Sequence, residues 1–143
     1  MQPTDIKVPE NTTILIVEDD PDQMRLLVKY IREAIGCNIK EAADGLEALR
    51  IMLQEKPKPN LILLDLMLPY LSGVEFLSLV RGRSEFDDIP VIVCTAISDT
   101  NEIKGKISHH IHSYLVKPIH KARLLEKVLD ALHPILFRVD YQS

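Results

Sequence analysis

Four consecutive aliphatic residues, Leu61-Ile62-Leu63-Leu64, run straight into a carboxylate, Asp65, with Pro57 and Pro59 before them and Pro69 after. An unbroken apolar run between proline breaks fits a strand buried on both faces of a parallel sheet. Asp65 then stands at the strand's carboxyl end, where open α/β sheets carry their chemistry. Burying a carboxylate unpaired is costly, so either a cation meets Asp65 or the residue merely caps the next turn.

The remaining segments supply the other parts of such a sheet. Residues 13–17 (Thr-Ile-Leu-Ile-Val) form a second buried run, ending in Glu18-Asp19-Asp20. Pro21 suits a first helical turn, and Met24, Leu27, Val28, Ile31 and Ile35 recur at helical spacing behind it. Gly36 is positioned to stop that helix. Residues 38–42 read as a weaker strand. Asp44 can cap a helix, with Glu47 placed to reach back, and Leu46, Leu49, Met52 and Leu53 are its expected buried stripe. A third helix is expected over 74–83, with Phe76, Leu77 and Val80 inward, and a strand over 91–95. Residues 98–109 make a marginal helix carrying only Ile103 and Ile107. A short strand, 114–116, ends at Lys117-Pro118, and a last helix over 121–132 buries Leu124, Leu125, Val128, Leu129 and Leu132. Pro134 is expected to break that helix.

Five strands alternating with five helices predict a doubly wound, five-stranded parallel sheet of flavodoxin-like (βα)5 type, with right-handed crossovers. The expected organisation is an N-terminal arm over 1–12, one domain over 13–133 and an irregular tail over 134–143.

A chain of 143 residues suffices for one proper core. Its formal net charge of −4 gives no general pull toward nucleic acid or anionic lipid. Cys37 and Cys94 have neither disulfide density nor metal-ligand spacing. No apolar stretch approaches the ~20 residues that cross a membrane, and the start carries no signal core. The expected compartment is the reduced cytoplasm.

If the strands are parallel, four polar strand ends meet along one edge: Glu18-Asp19-Asp20, Asp65, Thr95 and Lys117. Clustered carboxylates need a cation between them to stay ionised. Oxygen donors without His or Cys suit a hard ion, which is Mg²⁺ chemistry. Lys117 adds an ammonium and Thr95 a hydroxyl, so a phosphoryl group could be held there while Asp65 attacks it.

With these residues in place, the chain resembles the receiver domain of two-component response regulators from about Thr13 to Leu132. The resemblance rests on Ile14-Leu15-Ile16-Val17-Glu18-Asp19-Asp20, on residues 41–49 (EAADGLEAL), on Leu63-Leu64-Asp65-Leu66-Met67-Leu68-Pro69 with Ser72-Gly73, on Thr95-Ala96 and on Tyr114-Leu115-Val116-Lys117-Pro118. It implies that Asp65 is the phosphoacceptor, served by a histidine kinase or histidine phosphotransfer protein. It also implies that Mg²⁺ is bound by Asp19 directly, by Glu18 through water, and by Asp65 and the Met67 backbone carbonyl. Lys117 would contact the phosphoryl oxygens, with a cis bond to Pro118, while Thr95 and Tyr114 form the switch. The family usually has Gly-Ala before its last strand; here His110-Ile111 stands there, which His accommodates less easily in a left-handed turn. The neighbouring His109 and His112 read as solvent-facing residues rather than a metal site.

The leading expectation is a stand-alone receiver, not a turnover enzyme, that switches contacts with a downstream protein without binding DNA or membrane. A phosphorelay shuttle that passes the phosphoryl group onward has the same sequence. A small Mg²⁺-dependent phosphohydrolase would need a general acid–base two residues after Asp65, where Met67 stands. A flavodoxin-like nucleotide binder would need a glycine-rich loop after the first strand, where acids stand instead.

Overall fold

The aliphatic runs form the centre of a five-stranded sheet in the computed structural model, which describes residues 7–96, 105 and 107–142. The strands are β1 (Thr13–Val17), β2 (Asn38–Ala42), β3 (Leu61–Asp65), β4 (Val91–Thr95) and β5 (Ser113–Val116). Their order is β2-β1-β3-β4-β5 and every pairing is parallel. Every residue of β1, β3 and β4 is buried, as continuous apolar runs require of inner strands. The more polar β2 and β5 lie at the edges.

Four described helices cover the sheet: α1 (Pro21–Ala34), α2 (Gly45–Gln54), α3 (Gly73–Arg81) and α4 (Lys121–Gln142). Strand alternation divides the core in two. Ile14, Ile16, Leu61 and Leu63 point to α1 and α4, while Leu15, Val17, Ile62 and Leu64 point to α2 and α3. Each such fully buried Leu or Ile contributes about 1.5–3 kcal/mol of transfer free energy.

Caps set where the helices begin. Asp20 accepts from the amides of Asp22 and Gln23 at the head of α1, ahead of Pro21. Asp44 accepts from the Glu47 amide at the head of α2. Ser72 and Glu75 form a reciprocal capping box that starts α3 at Gly73, one residue before the expected start.

Several expectations give way to the structure. α4 continues through Pro134 to Gln142, so the tail expected to be irregular over 134–143 is helical over its described residues, 134–142. Ile135 and Leu136 pack against the core from beyond the proline, and that burial offsets the lost backbone bond. The side chains of Phe137 and Tyr141 lie outside the described ones. In α2 the buried face is Ala48, Ile51 and Met52, whereas Leu46 is 54% and Leu53 48% exposed. Gly36 follows an extended Ile35, and no described glycine has positive φ, so α1 ends without a left-handed residue. Of the expected arm, Thr12 is buried and Val8 packs on the core; residues 1–6 lie outside the described ones. The marginal helix over 98–109, with Ile103, also falls largely outside them.

Candidate functional site

The sheet register brings the strand ends together. Val17 is level with Leu64, so the next residues, Glu18 and Asp65, fall side by side. Asp65 is in turn level with Cys94, and Thr95 with Val116, which sets Lys117 just beyond that edge. Three inner strands and one outer strand thus deliver four polar side chains to one place.

Lys117 lies at its centre. Its ammonium donates to Glu18 Oε1 at 2.9 Å and to Asp65 Oδ2 at 2.9 Å. Both carboxylates are buried, Asp65 at 5% exposure and Glu18 at 2%. Burial pushes Glu18 up to about 7, a rise opposed by its bonds from Lys117 and the Asp20 amide and reinforced by the Asp65 charge. Burial also pulls Lys117 down, but its bonds to Glu18 and Asp65 outweigh this and hold it above the usual lysine range. The ammonium therefore stays charged. The Lys117–Pro118 peptide bond is cis, as the resemblance implied.

Asp19 completes an acidic cluster. Glu18, Asp19 and Asp65 each offer one carboxylate oxygen, and these oxygens lie within 4.8 Å of one another. Among the described residues, no other group of three or more His, Cys, Asp or Glu converges in this way. An all-oxygen donor set of this charge fits a hard divalent ion such as Mg²⁺. Asp20 does different work, since its side chain caps α1.

The loop between β3 and α3 shapes the other side of the site. Asp65 Oδ1 accepts from the Met67 amide at 3.0 Å, and the Gly73 amide donates to the Leu66 carbonyl at 3.0 Å, closing the loop on itself. Two glycines allow the close packing. A methyl group on Gly73 would sit 2.4 Å from the Asp65 carbonyl oxygen, and one on Gly45 2.1 Å from that of Leu71. Between them Tyr70 has φ 68°, the one positive φ among the described non-glycine residues. The Leu71 amide donates to the Pro69 carbonyl at 2.8 Å. This is the rarer, strained form of γ-turn, and a bulky residue held there costs about 1–3 kcal/mol.

Thr95 is buried at the end of β4. Tyr114 is half-buried against the α2–α3 side of the core, and burial pushes its phenol up. Ile97, two residues beyond Thr95, lies outside the described residues.

Residues 14–129 match the family model described as response regulator receiver domain. The chain belongs to this family. One relative, the sensor histidine kinase TmoS of Ectopseudomonas mendocina, is 35% identical over 121 residues, covering 83% of this chain and 12% of the relative. A putative response regulator from Chloroflexus aurantiacus superposes with a TM-score of 0.78 at 28% identity, covering 87% of this chain and 99% of that one. The receiver domain of the sensor histidine kinase PA1611 from Pseudomonas aeruginosa, solved with a magnesium ion in its active-site cleft, superposes with a TM-score of 0.75. It is 25% identical, covering 86% of this chain and 98% of that one. This receiver spans half or less of the length of the curated relatives it matches.

His109 and His112 are exposed and His110 is half-buried. The His109 and His110 rings lie 3.9 Å apart, and His112 Nε2 meets Asp130 Oδ2 of α4 at 2.8 Å. His110 closes a 3-10 turn over Ser108–His110 instead of adopting positive φ. Arg81 holds that turn, donating to the carbonyls of His110, Phe86 and Ile89 at 2.9, 2.9 and 2.7 Å. Sequence reasoning missed Arg81 and Tyr70. A polar residue at the end of a helix, or a tyrosine after a proline, carries no periodic signal.

Proposed function

We propose that this receiver accepts a phosphoryl group on Asp65 from the phosphohistidine of a kinase or phosphotransfer protein. The observation that carries this reading is the sharing of one lysine ammonium by two buried carboxylates, beside a third, at the carboxyl edge of the sheet.

Glu18, Asp19, Asp65 and the Met67 carbonyl would hold the divalent ion, which when bound offsets negative charge on the incoming group. A carboxylate oxygen of Asp65 forms the new bond to phosphorus. The phosphorus–nitrogen bond to histidine breaks, and the ring nitrogen keeps its electron pair and takes up a proton. Lys117, already charged and already at Asp65, can follow the phosphoryl oxygens without a change of protonation. Thr95 offers its hydroxyl to the same group, and Tyr114 is the ring that responds behind it. The chain is thus an acceptor rather than a turnover enzyme. In this reading it acts in the cytoplasm and passes its message by protein contact.

Incubation with acetyl phosphate and Mg²⁺ tests this. Intact-mass measurement should show one added phosphoryl group, labile to hydroxylamine as acyl phosphates are, and Asp65→Asn should abolish it. Full labelling of the Asn variant would place the acceptor elsewhere. Return of the group from Asp65 to a phosphotransfer histidine would mark the chain as a relay shuttle.

A further inference from the structure

At the edge of the sheet opposite Asp65, the residues leading into β1 and β3 border a cavity of about 350 Å³. Its walls include Glu10, Thr12, Pro57, Lys58, Asn60 and, from the stretch of α4 beyond Pro134, Ile135. A single water takes up about 30 Å³ and small-molecule sites begin near 300 Å³, so the space has the size of a small organic ligand.

The polar groups around it are mostly donors. Thr12 is 2% exposed, and its hydroxyl has no hydrogen-bond partner among the described residues. A buried hydroxyl left unpaired is costly, and one in a cavity wall finds its partner in what enters. Asn60 Oδ1 accepts from the Thr13 amide at 2.8 Å, which fixes the side chain and leaves its N–H groups to donate. Lys58 is held loosely, its ammonium 3.5 Å from the Glu85 carbonyl oxygen and 4.0 Å from a Glu85 carboxylate oxygen. Three donors, one of them charged, suit a carboxylate. Glu10 is the opposing charge; it is exposed, and it works against a dianion more than against a monoanion. Pro57 and the half-buried Ile135 supply apolar surface for the rest of the ligand.

We propose that this cavity binds a small monocarboxylate with an apolar body, its carboxylate taken by Thr12, Lys58 and Asn60 and its body laid against Pro57 and Ile135. None of these residues belongs to the phosphoacceptor site, so the inference stands apart from the reading above. The cavity nevertheless borders the start of the two strands that end at Glu18 and Asp65.

The test is a titration of the full, metal-free chain, labelled with nitrogen-15, with benzoate as the probe and benzylamine and inorganic phosphate as controls. Benzoate should give saturable shifts centred on the amides of Thr12, Lys58 and Asn60, and the controls should not. Asn60→Asp keeps the acceptor for the Thr13 amide but sets a negative charge against the ligand, and should weaken benzoate roughly tenfold or more. Lys58→Gln, at an exposed position, should weaken it by roughly threefold or more and gives the same reading should the Asp variant not fold. Thr12→Val should melt no lower than the wild type, because the hydroxyl makes no bond within the fold, and should still weaken benzoate. No saturable shift, an equal response to benzylamine, an equal response to phosphate (an adventitious anion site only), or wild-type affinity in the folded variants would each overturn the inference.

Discussion

Lys117 donates to Glu18 at 2.9 Å across 99 residues of sequence, from the end of β5 to the end of β1, two strands that β3 and β4 separate. The same ammonium reaches Asp65 at 2.9 Å, so it is the charge that makes two buried carboxylates tolerable. Lys117→Met should lower the stability of the metal-free protein by about 2–3 kcal/mol, since removing one partner of a buried pair strands the other. Urea denaturation in EDTA checks this. A variant as stable as the wild type would show that water already neutralises the pair.

Asp19 and Asp20 are neighbours with different tasks, and substitution should separate them. Asp19→Ala removes one of three converging oxygens and should weaken Mg²⁺ binding far more than Asp20→Ala does. Asp20→Ala removes the cap of α1 and should instead cost about 1 kcal/mol of stability. Metal titration and thermal unfolding on both variants read the two effects. Equal losses of affinity would overturn this assignment.

Gly73 is required by contact rather than by conformation. Its φ is not positive, yet a methyl group there would press on the Asp65 carbonyl oxygen at 2.4 Å and the Leu66 Cα at 2.5 Å. Gly73→Ala should therefore destabilise by roughly 1–3 kcal/mol, the range of overpacking, and slow acetyl phosphate labelling of Asp65 as its backbone shifts. Gly36→Ala is the control. Nothing lies within 4 Å of a methyl group there, so it should be neutral or stabilising by about 0.4–1 kcal/mol.

The lifetime of the phosphorylated state should depend on Met67. Its backbone amide bonds Asp65, and its side chain, which is exposed, cannot orient a water by a strong hydrogen bond. Slow self-dephosphorylation is expected. The double variant Met67→Asn with Ile97→Glu should hydrolyse about tenfold faster, as one well-oriented water is worth ~1.4 kcal/mol of barrier. Decay of the phosphorylated protein at saturating Mg²⁺ measures this, and equal rates would show that polarity at these positions does not limit water access.

Sequence by itself determined the inner sheet and the acceptor edge. The runs ending at Val17, Asp65 and Thr95 have no other stable home than between two helical layers, and parallel pairing then carries their polar ends to one side. The same logic placed Phe76, Leu77 and Val80 inward, all of them buried. Only tertiary structure decided which apolar residues of the outer elements were buried. In α2 the leucines at 46 and 53 lost the inner face to the smaller Ala48 and to Ile51 and Met52, because a helix packed closely on a loop at Gly45 presents the side that fits, not the bulkiest one. Pro134 shows the same limit. Its local cost is legible in the chain, but whether Ile135 and Leu136 find a core to join is not. The strained turn at Tyr70 is a third case: local preference opposes it, and closure of the loop between Leu66 and Gly73 imposes it. Periodicity reports what each segment can bury, whereas contacts between segments decide what it does bury.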